Sequence, residues 1–261
     1  MNYKFVPDVK KISYIGQVFC IHKDLTICGS NNRIMHELQE AFRDTLGIDL
    51  KLQVVESHEH VLWIGRKGEN LTTALPSHEQ GYIVNIEADH VWLEAWSEQG
   101  LFYGIQTFRQ ILMQSNGDTL QGLIIKDAPA LNYRGLQLDV SRGKVFTIET
   151  IEEIVDLMAR YKMNVLQLYI EHTFAFEKHS SFCKDVGAIT PEFIRQIQKY
   201  CKSKYIELQA NLQSFGHCNR ILTQPEYRGL SESDLYWTLS PSKAETYELL
   251  GDLYEEFLPL F

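Results

Sequence analysis

The order of apolar and polar positions in the first half of the chain predicts short strands and two helices. The first helix begins at a cap, Asn31 or Asn32, and ends at Gly47, since the apolar residues between them recur at helical spacing. The same spacing predicts a second helix over residues 100–112. These helices cover a sheet in a small α+β layer. The predicted strands are residues 25–28, 50–55, 61–65, 82–86 and 91–96, the last two forming a hairpin.

The pattern changes near residue 130, where strands begin to alternate with amphipathic helices. Thr190 and Ser240 are the expected caps of the last two helices. Repeated strand–helix units lead to a parallel sheet whose expected closure is a (β/α)8 TIM barrel, of which about three of the eight strands are visible. The predicted strands are residues 136–140, 165–170 and 206–212, and the predicted helices are residues 148–161, 191–201 and 241–257.

A boundary between the two patterns is predicted near residues 122–130, where Asp127, Ala128 and Pro129 follow a glycine. We therefore predict two domains, residues 1–128 and residues 129–261. The predicted fold class is α/β, with a small α+β N-terminal domain followed by the first part of a (β/α)8 TIM barrel.

Charge and composition narrow the classes of partner. The 261 residues include 25 basic and 34 acidic side chains and carry a formal net charge of -9, without a basic run. Nucleic acid is therefore not an expected partner, and a small polar ligand fits better. The chain shows neither a signal-peptide pattern nor an apolar run long enough to span a membrane. Five cysteines without CxxC spacing predict reduced thiols in a cytoplasmic protein and no zinc site.

Polar side chains follow each predicted barrel strand, where barrel enzymes carry their functional groups. They are Asp139, Ser141 and Arg142 after the first strand, Glu171 and His172 after the second, and Gly216 and His217 after the third. Each group also has a purely structural interpretation. Asp139 and Arg142 can form a local ion pair, Glu171 and His172 a solvated loop pair, and His217 a bond to a backbone carbonyl.

Several segments, in order along the chain, resemble glycoside hydrolase family 20 β-N-acetylhexosaminidases. Residues 99–112, QGLFYGIQTFRQIL, resemble the end of the small support domain that precedes the barrel in that family. Residues 133–142, YRGLQLDVSR, resemble its first barrel strand, whose arginine holds sugar hydroxyls, and by that match the arginine is Arg134. Residues 164–174, 212–217 and 239–246 resemble the hexosaminidase D-like branch, with Glu171 following the second strand and His217 matching the family's histidine.

The resemblance implies an exo-acting hydrolase that releases terminal N-acetylglucosamine or N-acetylgalactosamine, with no cofactor and no metal. In such enzymes the 2-acetamido group of the substrate is the nucleophile, and an Asp-Glu pair assists it and protonates the leaving oxygen. No consecutive Asp-Glu follows the third predicted strand, so we expect that pair beyond Phe261 and predict that this chain alone is inactive. Arg134, Glu171 and His217 are the expected sugar-binding residues.

An incomplete barrel has an open strand edge and an apolar interior, and both favour self-association. Two alternatives to the enzyme remain open at this point. The chain can be a non-catalytic carbohydrate-binding or interaction protein that keeps part of the sugar pocket. It can also be a barrel fragment of unrelated function, in which case Arg134 and His217 would not face a common cavity.

Overall fold

The computed structural model describes residues 2–56, 61–65, 75–115 and 117–261 of the chain. The described residues form two compact units, Met1–Asn132 and Tyr133–Phe261. This division falls a few residues after the boundary predicted at residue 128. In these residues no helix is both long enough and apolar enough to cross a membrane.

The first unit is built on a seven-stranded sheet with the strand order β1-β7-β5-β6-β4-β2-β3. All its neighbouring strands are antiparallel except β2 and β3, which run parallel. The predicted hairpin is confirmed, and its turn is closed by a hydrogen bond from Glu87 N to His90 O at 2.9 Å. The strands are β1 (Lys11–Cys20), β2 (Thr26–Gly29), β3 (Lys51–Val54), β4 (Val61–Gly65), β5 (Tyr82–Ile86), β6 (His90–Ala95) and β7 (Thr119–Asp127).

Two helices, α1 (Asn32–Leu46) and α2 (Glu98–Met113), pack against each other and against this sheet. The predicted cap of α1 is confirmed, because the side chain of Asn31 accepts a hydrogen bond from Ile34 N. Gly47 ends the helix in the left-handed conformation that glycine adopts without strain, at φ 68°. The core lies between the helices and the sheet, where Phe42 and Phe108 meet with their ring centroids 5.7 Å apart.

Two strands of this sheet correct the sequence interpretation. Residues 122–127, which the sequence pattern places at a domain boundary, belong to β7, which lies between β1 and β5. The sequence pattern predicts no strand over β1. Position 122 requires glycine because strand β1 approaches it closely: a Cβ at this position would lie 2.9 Å from Cβ of Gln17. The pairing of β1 with β7 joins segments about a hundred residues apart and contains a register shift, so no local pattern announces it.

The second unit holds three parallel strands in the order β10-β9-β8. Helices α3 and α4 connect them in turn, as expected for the first part of a (β/α)8 barrel. The register pairs Gly135 with Val165 and Asp139 with Tyr169, so the strands end at the same edge. The elements are β8 (Gly135–Asp139), α3 (Ile148–Arg160), β9 (Val165–Tyr169), α4 (Pro191–Ser203), β10 (Glu207–Gln209), α5 (Asn219–Leu222) and α6 (Ala244–Phe257).

The two faces of the small sheet differ sharply in polarity. Leu166, Leu168 and Leu208 are buried on one face. On the other face Gln137 donates to Gln167 at 3.1 Å and Gln167 donates to Gln209 at 3.0 Å. The expected apolar interior is therefore wrong in this layer, because side chains alternate along a strand and the inward positions are glutamines.

Helix α6 begins later than predicted. Its first residue is Ala244, and no side chain caps it. Ser240 bonds instead to Ser242, with 3.0 Å between the two hydroxyl oxygens, while its carbonyl accepts from Thr246 Oγ1 at 2.9 Å. Residues 241–243 thus form a turn, and Ser240, the predicted cap of the helix, stabilises that turn instead.

A buried polar cluster in the first unit gives a test of stability. The hydroxyl of Tyr82 donates to Asp127 Oδ2 and contacts Thr107 Oγ1, each at 2.5 Å. Tyr82→Phe removes a donor from a buried carboxylate, and we expect a loss of about 1–3 kcal/mol in the free energy of unfolding. Urea denaturation followed by fluorescence measures this change. Tyr133→Phe, at an exposed position, is the control and should leave the midpoint unchanged.

Candidate functional site

The candidate site lies where the three strands of the second unit end. Asp139 and Tyr169 are the last residues of β8 and β9. A further parallel bridge between Ile170 and Leu212 extends the pairing beyond β10. The residues that follow each strand therefore meet at one edge, as they do in barrel enzymes.

Glu171 is the centre of this site. Its Oε1 atom lies 2.9 Å from Arg142 Nη2 and accepts a hydrogen bond from the Tyr169 hydroxyl, also at 2.9 Å. Its backbone N–H donates to Ser141 Oγ at 2.8 Å, which fixes the loop after β9 to the loop after β8. The side chain of Glu171 is 14% exposed and that of Arg142 is 52% exposed. The carboxylate of Glu171 is thus held by hydrogen bonds and mostly shielded from solvent, while the guanidinium of Arg142 faces solvent.

Asp139 is the second carboxylate that pairs with Arg142. One carboxylate oxygen accepts from Ser141 N at 2.9 Å, and the other forms an ion pair with Arg142 Nη1. Partial burial raises the pKa of Asp139, but the hydrogen bonds from Ser141 and Arg142 outweigh it and lower the pKa overall. The local ion pair predicted from sequence is present. The guanidinium also reaches Glu171 in the loop after β9, so one cation pairs with two carboxylates.

Aromatic rings extend the site outwards from this charged group. The guanidinium of Arg142 lies 4.8 Å from the ring centroid of Tyr169. The Tyr169 ring meets the imidazole of His217 edge to face at 6.3 Å, and His217 lies 5.0 Å from the ring of Trp237. An arginine guanidinium beside exposed aromatic rings is typical of sites that bind small polar molecules such as sugars.

The structure brings two of the three predicted sugar-binding residues together and leaves the third apart. Glu171 and His217 both contact Tyr169. Arg134 precedes β8, and its Nε donates to the carbonyl of Lys162 at 2.7 Å. Because parallel strands in register keep their starts and ends at opposite edges, Arg134 lies away from the site. Arg134 is thus separated from the Glu171 cluster, and its assignment to the sugar pocket stays a prediction.

His172 lies half-buried beside Glu171. Its Nδ1 atom is enclosed by protein and has no hydrogen-bond partner among the described residues. Burial lowers the pKa of His172, the charge of Glu171 opposes this effect and the charge of Arg220 adds to it. Glu171 is bound by Arg142 and is mostly shielded from solvent, and His172 is half-buried, so these two side chains are less solvated than the predicted loop pair.

Cys218 follows His217 but is chemically inert. Its thiol contacts the carbonyl of Ser214 at 3.0 Å, and burial together with the charge of Glu171 raises its pKa to about 12. A thiol with such a pKa stays protonated near neutral pH and is a poor nucleophile.

One group of three metal-type ligands occurs in the described part of the chain, and it lies in the first unit. Glu87, Asp89 and His90 surround the β5–β6 turn with their ligand atoms within 4.8 Å of one another. His90 Nδ1 lies 2.9 Å from Asp89 Oδ1. A hydrogen-bonded turn explains this arrangement without a metal.

Comparison with known families identifies the chain. Residues 2–128 match the domain described as "Glycosyl hydrolase family 20, domain 2", and residues 131–261 match the "Glycosyl hydrolase family 20, catalytic domain". The chain belongs to glycosyl hydrolase family 20. The match excludes the interpretation as a barrel fragment unrelated to this family.

Several hexosaminidases are similar to this family 20 chain. The beta-hexosaminidase of Porphyromonas gingivalis is 26% identical over 296 residues, which cover 98% of this chain and 37% of that protein. The beta-N-acetylhexosaminidase of Cellulomonas fimi is 33% identical over 112 residues, 42% of this chain and 22% of that protein. The chain thus spans well under half the length of these relatives.

Solved structures share the fold of this family 20 chain. The chitobiase of Flavobacterium johnsoniae aligns with a TM-score of 0.78 at 22% identity and covers 99% of this chain and 43% of its own. The N-acetyl-beta-hexosaminidase of Streptomyces plicatus, in complex with thio-NAglucal, gives a TM-score of 0.75 at 21% identity, covering 98% and 56%.

The sequence analysis did not identify two residues of this candidate site, Tyr169 and Trp237. Tyr169 was assigned only to a strand, although its position two residues before Glu171 places both side chains on the same face. Trp237 carries no signal of its own in the sequence, because its contact with His217 depends on a loop that closes between residues 231 and 239. The alternation of side chains along β9 is therefore sufficient to identify Tyr169. It gives no information about Trp237.

The half-buried imidazole of His172 predicts a dependence of stability on pH. Its pKa is lowered in the folded state, so the unfolded chain takes up a proton first as the pH falls below about 6.5. We expect the stability contributed by neutral His172 to be present above that pH and to be lost on acidification. His172→Gln should flatten the decrease in urea midpoint between about pH 7.5 and 5.5. His22→Gln, at an exposed position, is the matched control, and an equal slope in both variants would contradict this role.

Proposed function

We propose that this chain is part of a glycoside hydrolase that releases terminal N-acetylhexosamine, and that its second unit forms one wall of the sugar pocket. The observation that carries the proposal is the cluster of Arg142, Glu171 and Asp139 beside His217, at the end of the strands where barrel enzymes bind substrate. The cluster lies in the half of the chain that matches the family's catalytic domain.

The chemistry of the cluster suits a sugar. Arg142 offers a planar fork of donors that can bond two neighbouring hydroxyls. Glu171 and Asp139 hold this fork in place and retain lone pairs that accept from hydroxyl groups. A neutral ligand rich in hydroxyls can thus bind without adding charge to a site that already contains two carboxylates and one guanidinium.

Relatives support an amino sugar as the ligand. The solved Streptomyces plicatus enzymes are described in complex with thio-NAglucal and, for a mutant form, with the product GlcNAc. We propose the same class of ligand for this chain, with N-acetylglucosamine or N-acetylgalactosamine at the end of a glycan. A cytoplasmic location and self-association through the open edges of the small sheet remain predictions.

The reaction we propose is retaining hydrolysis assisted by the substrate. The 2-acetamido oxygen attacks the anomeric carbon while the glycosidic C–O bond breaks, one carboxylate stabilises the acetamido group, and a second acid protonates the leaving oxygen. Water then attacks the anomeric carbon, opens the cyclic intermediate and gives the sugar with retained configuration. No consecutive Asp-Glu follows β10 in these 261 residues. We therefore propose that residues 1–261 bind the terminal sugar and do not cleave it by themselves.

Two arginines distinguish this proposal from the assignment made on sequence. Arg142→Ala removes the fork from the cluster, and we expect about a tenfold or greater loss of affinity for N-acetylglucosamine, since hydrogen bonds to charged groups contribute about 1.5–3 kcal/mol. Arg134→Ala, at the other end of the strands, should keep the affinity of the wild type. Saturation-transfer NMR titration measures both variants. The reverse ranking would return Arg134 to the pocket and overturn the role of Arg142.

The same chain gives a test of activity. We expect residues 1–261 to leave 4-nitrophenyl N-acetyl-β-glucosaminide uncleaved, because the acid that must protonate the leaving group is missing. Release of 4-nitrophenol above the rate in buffer is the measurement. If the wild-type chain cleaves the substrate and the Glu171→Gln variant does not, Glu171 itself supplies the acid and the expectation is wrong.

A further inference from the structure

A loop after α5 presents aromatic and apolar side chains to solvent close to the candidate site. An antiparallel bridge between Ser231 and Leu239 closes the loop, and Glu232 N donates to Thr238 O at 3.0 Å. At its tip Leu235 is 79% exposed and Trp237 is 47% exposed. A tryptophan that is half exposed contributes only part of its apolar surface to the core and is available for a ligand.

Backbone hydrogen bonds hold this loop against the segment that carries His217. Cys218 N donates to the carbonyl of Trp237 at 3.0 Å, and Leu239 N donates to the carbonyl of Phe215 at 2.8 Å. These two bonds flank the contact between His217 and Trp237, whose ring centroids lie 5.0 Å apart. The position of Trp237 relative to the site is therefore fixed by the fold.

Both ring contacts depend on unusual backbone conformations. His217 has a φ of 60° and Tyr236, which precedes Trp237, has a φ of 52°. Residues with a Cβ adopt the left-handed region at some energetic cost, and they keep it only where the surrounding structure imposes it. The fold thus maintains two locally unfavourable residues at the very points that bring His217 and Trp237 together.

Successive side-chain contacts connect the charged cluster to Trp237. Arg142 lies over Tyr169, Tyr169 contacts His217 and His217 contacts Trp237. The charged end suits the hydroxyls of a terminal sugar. The outer end offers a flat apolar face, and the C–H groups on one face of a pyranose ring match such a surface.

We propose that Trp237 is the platform for the sugar unit that follows the terminal N-acetylhexosamine. The ligand of this site is then an oligosaccharide of at least two units, with its terminal unit at Arg142 and Glu171 and its second unit against Trp237. This inference rests on the proposed function, since it needs the terminal sugar at the charged cluster. Trp237 is a specificity-determining residue here and takes no part in bond cleavage.

The test compares one sugar with two. Ligand-observed NMR titrations measure the affinity of the 261-residue chain for N-acetylglucosamine and for N,N'-diacetylchitobiose. Trp237→Ala should weaken disaccharide binding about three- to tenfold and change monosaccharide binding less than about twofold. Trp237→Phe retains a flat ring and should restore most of the disaccharide affinity. Leu235→Ala removes a more exposed apolar residue from the same loop and should change neither affinity.

The outcomes separate this inference from the proposed function. If wild-type chain binds both sugars and Trp237→Ala weakens them equally, or weakens neither, Trp237 is not the second-sugar platform, while the proposed function stands. Disaccharide affinity that stays low in Trp237→Phe would also contradict a stacking role. If wild-type chain binds neither sugar, the proposed function fails and this inference fails with it.

Discussion

The arrangement of the candidate site depends on the parallel, in-register pairing of β8, β9 and β10. This register pairs Gly135 with Val165 and Val165 with Glu207, so the starts and ends of the strands lie at opposite edges. The contacts of Glu171 with Arg142 and Ser141 follow from that constraint. Glu171 contacts Arg142 and Ser141 because β8 and β9 end at paired residues, Asp139 and Tyr169, so the loops that follow them are adjacent. A shift of one residue would turn the side chains of a strand to the opposite face.

Electrostatic balance within the site follows from the same pairing. One guanidinium lies between two carboxylates, so the cluster carries a net negative charge and the fork of Arg142 is held in one orientation. The pKa of Asp139 is lowered and the pKa of Arg142 is raised, and both shifts favour the charged forms. A site held this way is organised before a ligand arrives, which reduces the entropic cost of binding.

The first unit has a core of its own. Two helices cover one face of its sheet, and Tyr82, Thr107 and Asp127 form a polar cluster in its interior. Since the buried hydroxyl and carboxylate bond to each other, the desolvation cost of each is offset by hydrogen bonding. The candidate sugar site is built entirely from residues of the second unit.

The sequence by itself determined the local elements of this protein. Helix α1 begins after Asn31 and ends at Gly47 as predicted, and the β5–β6 hairpin and the three parallel strands were also found, because periodicity and caps act over a few residues. Resemblance to a known family supplied the hydrolase class. Only the tertiary structure shows that β1 pairs with β7, that Arg142 contacts Glu171 as well as Asp139, and that Trp237 meets His217. Those contacts join distant segments, and their geometry depends on strand register and loop closure, which no local pattern encodes.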